Sequence, residues 1–156
     1  MLFRSLQREL KHVSYDRLLS GKGLVSIFEF LRDSGSAEPS WLRDELSKAD
    51  DPAAAISRLA LKGRSELCAK ALDLWVASFG AEAGNLALKA LATAGVYLGG
   101  GIAPKILPKL ADGTFLAAFC DKGRLSTLLE AMPVRVILND KAALFGAGAF
   151  ALRRGK

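Results

Sequence analysis

Apolar positions recur at helical spacing through most of this chain. Leu2, Phe3, Leu6 and Leu10 lie on one face of a first helix, and charged residues fill the other faces. Ser14 is placed to cap a second helix, in which Asp16 and Arg17 precede Leu18 and Leu19. Ser20, Gly21 and Gly23 read as a structural turn that interrupts it. Leu24, Ile27, Phe28 and Leu31 then mark a helix ending near Asp33-Ser34-Gly35-Ser36. Residues 39–51 are polar except for Trp41, Leu42 and Leu46, which predicts a short surface helix leaning on the core by one edge. A helix over residues 53–61 is stopped by Gly63. Ser65 or Glu66 opens a long one that runs through Leu72, Trp75, Phe79 and Leu86 to about Leu91. Gly80 and Gly84 inside that run are costly for a helix, so close packing or a kink is expected there.

The helical pattern breaks in residues 95–110. Val96, Tyr97 and Leu98 form a short β-prone run, and Gly99, Gly100 and Gly101 end it at once. Pro104 has the fixed φ suited to a first helical turn, and Ile106, Leu107 and Leu110 give that helix an apolar face. Glycines in such a turn let backbone approach a ligand, and the helix start beyond them presents free N–H groups and a positive dipole end. The pattern is neither a Walker motif nor a dinucleotide fingerprint, and a plain tight turn accounts for it equally well.

Residues 113–129 read as a loop and helix carrying Phe115, Leu116 and Phe119, with a turn at Asp121-Lys122-Gly123-Arg124. Val134, Val136 and Leu138 alternate with Arg135 and Ile137 as a second strand, ended by Asn139 and Asp140. Residues 144–149 open a final helix of small residues, suited to packing closely on a sheet. The expected class is a helix-rich α/β domain with seven or eight helical segments and two short strands. Two parallel strands alone make no stable sheet, and their edges stay open to other chains. Further strands are therefore expected beyond those the pattern reveals, or from a part that the chain lacks.

The 156 residues suffice for a single domain over residues 1–156 with a sizeable core, and 51% of them are hydrophobic. The net charge is +6, but the basic residues are scattered and only Arg153, Arg154 and Lys156 cluster. Few aromatics interleave with them, so a nucleic-acid partner is not expected. Cys68 and Cys120 lie far apart with no metal-ligand spacing, which predicts two reduced thiols. No run is apolar enough for a membrane span, and residues 1–11 lack a signal-peptide centre, so a cytoplasmic protein is expected.

Several blocks carry a family likeness. His12-Val13-Ser14-Tyr15-Asp16-Arg17-Leu18-Leu19-Ser20-Gly21-Lys22-Gly23-Leu24, Ala83-Gly84-Asn85-Leu86-Ala87-Leu88 and Gly95-Val96-Tyr97-Leu98-Gly99-Gly100-Gly101-Ile102-Ala103-Pro104 stand in this order. Pro133-Val134-Arg135-Val136-Ile137-Leu138 and Leu144-Phe145-Gly146-Ala147-Gly148-Ala149 follow. The series resembles the carboxy-terminal part of bacterial ATP-dependent glucokinases over nearly the whole chain.

The resemblance implies part of the large domain of an actin-like ATPase, with its ribonuclease-H-like fold. The implied reaction transfers the γ-phosphoryl of magnesium-bound ATP to the 6-hydroxyl of glucose. It also implies that the amino-terminal small domain and the first strands of the large domain are missing, together with three family blocks. These are the Asp-x-Gly-Gly-Thr phosphate motif, the Asn-Asp block of the catalytic base and the Gly-Glu-Gly-Gly-His sugar motif. No catalytic or metal-ligating residue is therefore expected in this chain, and alone it should be inactive.

Asp16 occupies the place of the Glu in the family's Ser-x-Glu-Arg block, which hydrogen-bonds a sugar hydroxyl, with a reach shorter by one methylene. A carboxylate that only answers the helix dipole would serve equally well there. Gly99, Gly100 and Gly101 match the turn that lies against the nucleotide; the resemblance puts residues 144–149 at the border of the same pocket, although plain strand-to-helix packing explains their small residues equally well. His12 matches a His-Val-Ser block of structural character, and Asn85 is expected to be a buried helix polar group with a partner. The expected ligands are glucose and ATP. The alternative is a non-catalytic sugar-kinase-like module that recruits another chain, or a second copy, through its exposed sheet edge.

Overall fold

The computed structural model describes residues 13–154. His12 and the helix expected over residues 2–10 lie outside them, as does Lys156.

Ser14 caps helix α1 (Tyr15–Leu18), its hydroxyl accepting the Arg17 N–H at 3.4 Å. Ser20 caps α2 (Gly21–Asp33) by accepting the Gly23 N–H at 3.2 Å. The expected turn at Ser20, Gly21 and Gly23 is thus a helix start. Gly23 fits there because a β-carbon would collide with the Leu18 carbonyl. Helix α3 (Ser40–Ser47) buries only Leu42. Helix α4 (Pro52–Leu61) starts with Pro52 in its first turn, and Asp51 accepts the Ala54 N–H at 3.0 Å.

The fold is built around α5 (Glu66–Ala90), capped by Ser65 and buried along Leu67, Cys68, Ala71, Leu72, Trp75 and Val76. Helices α2 and α4 pack against one part of it. Against another part lies α7 (Thr114–Cys120), and this seam is the most extensive between any two helices. Gly80 and Gly84 explain how the two come so close. A β-carbon at Gly80 would strike the Phe115 carbonyl oxygen, and one at Gly84 would strike that of Phe119. Phe79 meets Phe115 edge-on at 5.4 Å between ring centroids, and Phe115 stacks on Phe119 at 6.1 Å. Asn85 is exposed instead of buried, though it does donate to Glu82 at 3.1 Å.

Strands β1 (Val96–Leu98) and β2 (Val134–Val136) form a two-stranded parallel sheet in the register Val96↔Val134, Tyr97↔Arg135 and Leu98↔Val136. The connection between them holds a 3₁₀ turn (Ala103–Ile106), α6 (Leu107–Leu110), α7, a second 3₁₀ turn (Gly123–Leu125) and α8 (Ser126–Glu130). Pro108 lacks the N–H that a continuous helix past Ile106 would need, so the helix expected from Pro104 onward breaks into two short pieces. Leu98 is buried against the helices, whereas Leu138, expected in the second strand, is exposed beyond its end. The Ile137 N–H donates to the Leu98 carbonyl at 2.9 Å as the last bond of the ladder.

Helix α9 (Ala142–Arg154) buries none of its residues, and Gly146 and Gly148 face open space. The close packing on a sheet expected for residues 144–149 does not occur among the described residues. The small side chains of this segment reach no surface to pack on. No helix among the described residues is long and apolar enough to cross a membrane.

Candidate functional site

Two chain turns meet at one end of the fold. The first joins α1 to α2 through Leu19 and Ser20. It is pinned from below, because the Trp75 indole N–H on α5 donates to the Ser20 carbonyl at 3.2 Å. The second is Gly99–Gly101, which carries the chain out of β1, with Gly100 at φ +100°. A side chain there would be strained, so glycine is what lets the chain leave the strand sharply.

These turns border two cavities. A groove of about 400 Å³ is lined by Leu19, Phe79, Leu86, Val96, Leu98 and Gly99, among others. A narrower slot of about 100 Å³ lies between Ser20, Gly21 and Leu24 on one side and Ile102, Lys105 and Ile106 on the other, with Leu72 and Trp75 also in its lining. Asp51, Ala53, Ala54 and Ser57 complete that lining. Its walls are mostly apolar, and two helix starts converge on it: Gly21 opens α2 beside Ala53 of α4, and a β-carbon on Gly21 would sit 3.5 Å from that of Ala53. Their positive dipole ends and the Lys105 ammonium favour negative charge at the rim, while Asp51 is engaged by the Ala54 N–H. An apolar slot with polar groups at its edge takes a flat ligand that carries hydrogen-bonding atoms on its perimeter.

The sequence-derived candidates are distributed around this region. Gly99 lines the groove, and Gly100 and Gly101 are exposed, with open space where a β-carbon would be. Ile102, the next residue, enters the slot. Asp16 is exposed in the first turn of α1, one turn before Leu19 of the groove, and has no ion-pair partner among the described residues. It lines neither cavity. Residues 144–149 line neither as well. Asn139 and Asp140 are exposed past β2, where the Asn139 side-chain oxygen accepts the Lys141 N–H at 2.9 Å ahead of α9.

Sequence reasoning missed Asp51, Trp75 and Lys105. Asp51-Pro52 had the signature of a helix start, but nothing in the pattern said that this start would face that of α2. Cys68 and Cys120 are both free. Burial pushes the Cys68 thiol up and outweighs the opposing Ser65 hydrogen bond, so it stays a packed, neutral group. Among the described residues no group of His, Cys, Asp and Glu is placed to hold a metal ion.

Comparison with known proteins matches this architecture to one family. The family model for glucokinase matches residues 1–154. The chain is 44% identical over 153 residues to a glucokinase of Synechocystis sp., covering 91% of this chain and 43% of that protein. It is 42% identical over 158 residues to a glucokinase of Nostoc sp., covering 94% of this chain and 46% of the relative. The crystal structure of a glucokinase from an Antarctic psychrotroph superposes with a TM-score of 0.77 at 32% identity, over 95% of this chain and 43% of that one. The chain thus spans less than half the length of the relatives it matches. The order of its elements, the glycine turn after β1 and the match over nearly all its residues together establish that the chain belongs to the glucokinase family.

Proposed function

We propose that this chain is the carboxy-terminal portion of a glucokinase large domain and forms the nucleotide side of a site that phosphorylates glucose. The observation that carries this reading is the meeting of the Leu19–Ser20 and Gly99–Gly101 turns at a slot entered by two helix starts. In this reading the adenosine of ATP occupies the slot between Trp75, Leu24 and Ile102, and its phosphates run outward along the glycine turn, where backbone can approach without side chains in the way. Magnesium accompanies the phosphates and needs few protein ligands, which suits a surface with no carboxylate cluster among the described residues. Asp16, which pairs with no cation among the described residues, is the proposed acceptor for a sugar hydroxyl. Its weaker reach is offset by closer approach or a bridging water.

Phosphoryl transfer depends on positioning, metal and an oriented nucleophile. The residues present supply the first of these for the nucleotide. The base and the phosphate cradle belong to family blocks that are not in these residues, so the 156-residue chain is expected to bind without turning over.

Titration with magnesium-ATP by calorimetry, with and without glucose, tests this together with a coupled assay for glucose 6-phosphate. Gly101→Leu is the informative variant, because Gly101 faces open space without a left-handed φ and the change costs the fold little. Binding to the parent chain that Gly101→Leu weakens at least tenfold supports the reading. Equal binding by both removes the glycine turn from the site. Absence of binding by a folded parent chain favours the second reading, a non-catalytic interaction module, for which α9, none of whose residues is buried, is the specific observation.

A further inference from the structure

The two walls of the narrow slot differ in what they can offer a ligand. Lys105 stands on the wall that continues from the glycine turn, beside Ile102 and Ile106, and pairs with no carboxylate among the described residues. Asp51 and Ser57 stand on the wall built by α4. One Asp51 carboxylate oxygen accepts the Ala54 N–H at 3.0 Å, and the other has no hydrogen-bond partner among the described residues. The half-buried Ser57 hydroxyl spends its proton on the Ala53 and Ala54 carbonyls, both at 3.0 Å, and keeps only lone pairs for anything else. Pro52 has no N–H, so the start of α4 also presents one donor fewer than an ordinary helix start. The side chains of this wall thus present acceptors and no donor.

We propose that Asp51 and Ser57 read the 6-position of a purine and make the site prefer a 6-amino to a 6-oxo base, taking the slot as the adenosine site of the preceding section. The path of the phosphates sets the direction of the base. They run along Gly99–Gly101, on the Lys105 side, so the ribose enters from that wall. The far end of the base, which carries the 6-substituent, then reaches the α4 wall. A 6-amino group has two hydrogens, one for the free Asp51 oxygen and one for Ser57 Oγ. A 6-oxo group instead sets its lone pairs against a carboxylate and against a hydroxyl that has no proton left to give. That contact repels, which separates two ligands further than attraction to one of them alone. Lys105, the cation able to answer a 6-oxo group, stands with the phosphates at the other wall.

Calorimetric titration of the 156-residue chain with magnesium-ATP and with magnesium-ITP tests this, because the two nucleotides are alike outside the purine 6-position and the adjoining N1. ATP should bind at least tenfold more tightly, as expected where an acceptor site meets the wrong group. Asp51→Asn keeps the helix cap, since Asn accepts the Ala54 N–H equally well, and places an amide donor where the free carboxylate oxygen was. ATP should then weaken about fivefold relative to ITP or more, bringing the ratio to about one. Ser57→Ala removes one acceptor and should weaken ATP about threefold with no loss for ITP. The lost charge of Asp51→Asn acts on both nucleotides alike and cancels in the ratio, and circular dichroism confirms that each variant is folded. Gly101→Leu should weaken both nucleotides equally, because their phosphates are the same. A parent ratio near one, or a ratio that Asp51→Asn and Ser57→Ala leave unchanged, overturns the proposal and leaves the slot as the nucleotide site. Binding of neither nucleotide by the folded parent chain overturns the adenosine reading of the slot and this proposal with it.

Discussion

Replacing Gly80 or Gly84 by alanine sets two effects of known size against each other. In an exposed helix interior the change stabilises by about 1 kcal/mol, because alanine has the better helix propensity. Here the new methyl points at the Phe115 or Phe119 carbonyl oxygen, and α7 must retreat by roughly 1 Å to restore ordinary contact. Both of these phenylalanines are buried on α7 and depend on its present position. Overpacking of this kind costs about 1–3 kcal/mol, and a retreat of that size forfeits a quarter to a half of the dispersion contacts across the seam. The clash should win, and each variant should be less stable by about 2 kcal/mol.

Urea unfolding followed by Trp75 fluorescence measures this. With m near 2 kcal/mol/M the midpoint should fall by about 1 M at unchanged m. The double variant should cost little more than the worse single one, since a single retreat of α7 relieves both clashes. A midpoint that rises in Gly80→Ala would show that propensity prevails and would refute the close approach of the two helices.

Two further outcomes follow from local features. Leu91 ends α5 in the left-handed region at φ +46°, exposed to solvent, so Leu91→Gly should stabilise by about 1 kcal/mol; an unchanged or lower melting temperature would contradict this. Asp112 is held below its usual range. Burial would raise it, but the Lys109 ammonium at 2.5 Å and the Thr114 N–H at 2.8 Å prevail. A depressed carboxylate stabilises the fold above its unfolded value near 4 and ceases to do so as pH falls through its folded value. Asp112 is more than a third exposed and its pair is screened by solvent, so Asp112→Asn should cost only about 0.3–0.5 kcal/mol at pH 7, with the gap closing below pH 4 in pH-dependent melting. A gap independent of pH would remove charge from the account. Lys109 also pairs with Asp73 of α5, which ties α6 to the central helix.

Helix boundaries were legible wherever a cap residue announced them. Ser14 and Ser65 each cap the helix expected of them, and Gly63 stops α4 at φ +62°. Gly80 and Gly84 were legible as close-packing positions because glycine inside a long helix needs a reason. Ser20-Gly21-Lys22-Gly23 was misread, since two glycines suggest a turn, whereas Ser20 caps and Gly23 fits under the Leu18 carbonyl. That relation spans two elements and leaves no periodic trace. The glycine turn after β1 was visible in sequence, but its partners were not. Trp75, Asp51 and Lys105 come together only through the packing of α2 and α4 on α5. The expected packing of α9 failed because small residues state what a helix can approach, not that anything is there.

The parallel pairing of β1 with β2 also has a consequence for the order of folding. The pair is three residues long on each side and is joined by a crossover that contains α6, α7 and α8. So short a ladder cannot offset the entropy of closing that loop by itself. Docking of α7 on α5 shortens the effective loop first, and the strands then meet at little further cost. The sheet should therefore be the last element to form and the first to open. In native-state hydrogen exchange the Val96 and Ile137 amides, which donate to Pro133 and Leu98, should exchange well before those in the middle of α5.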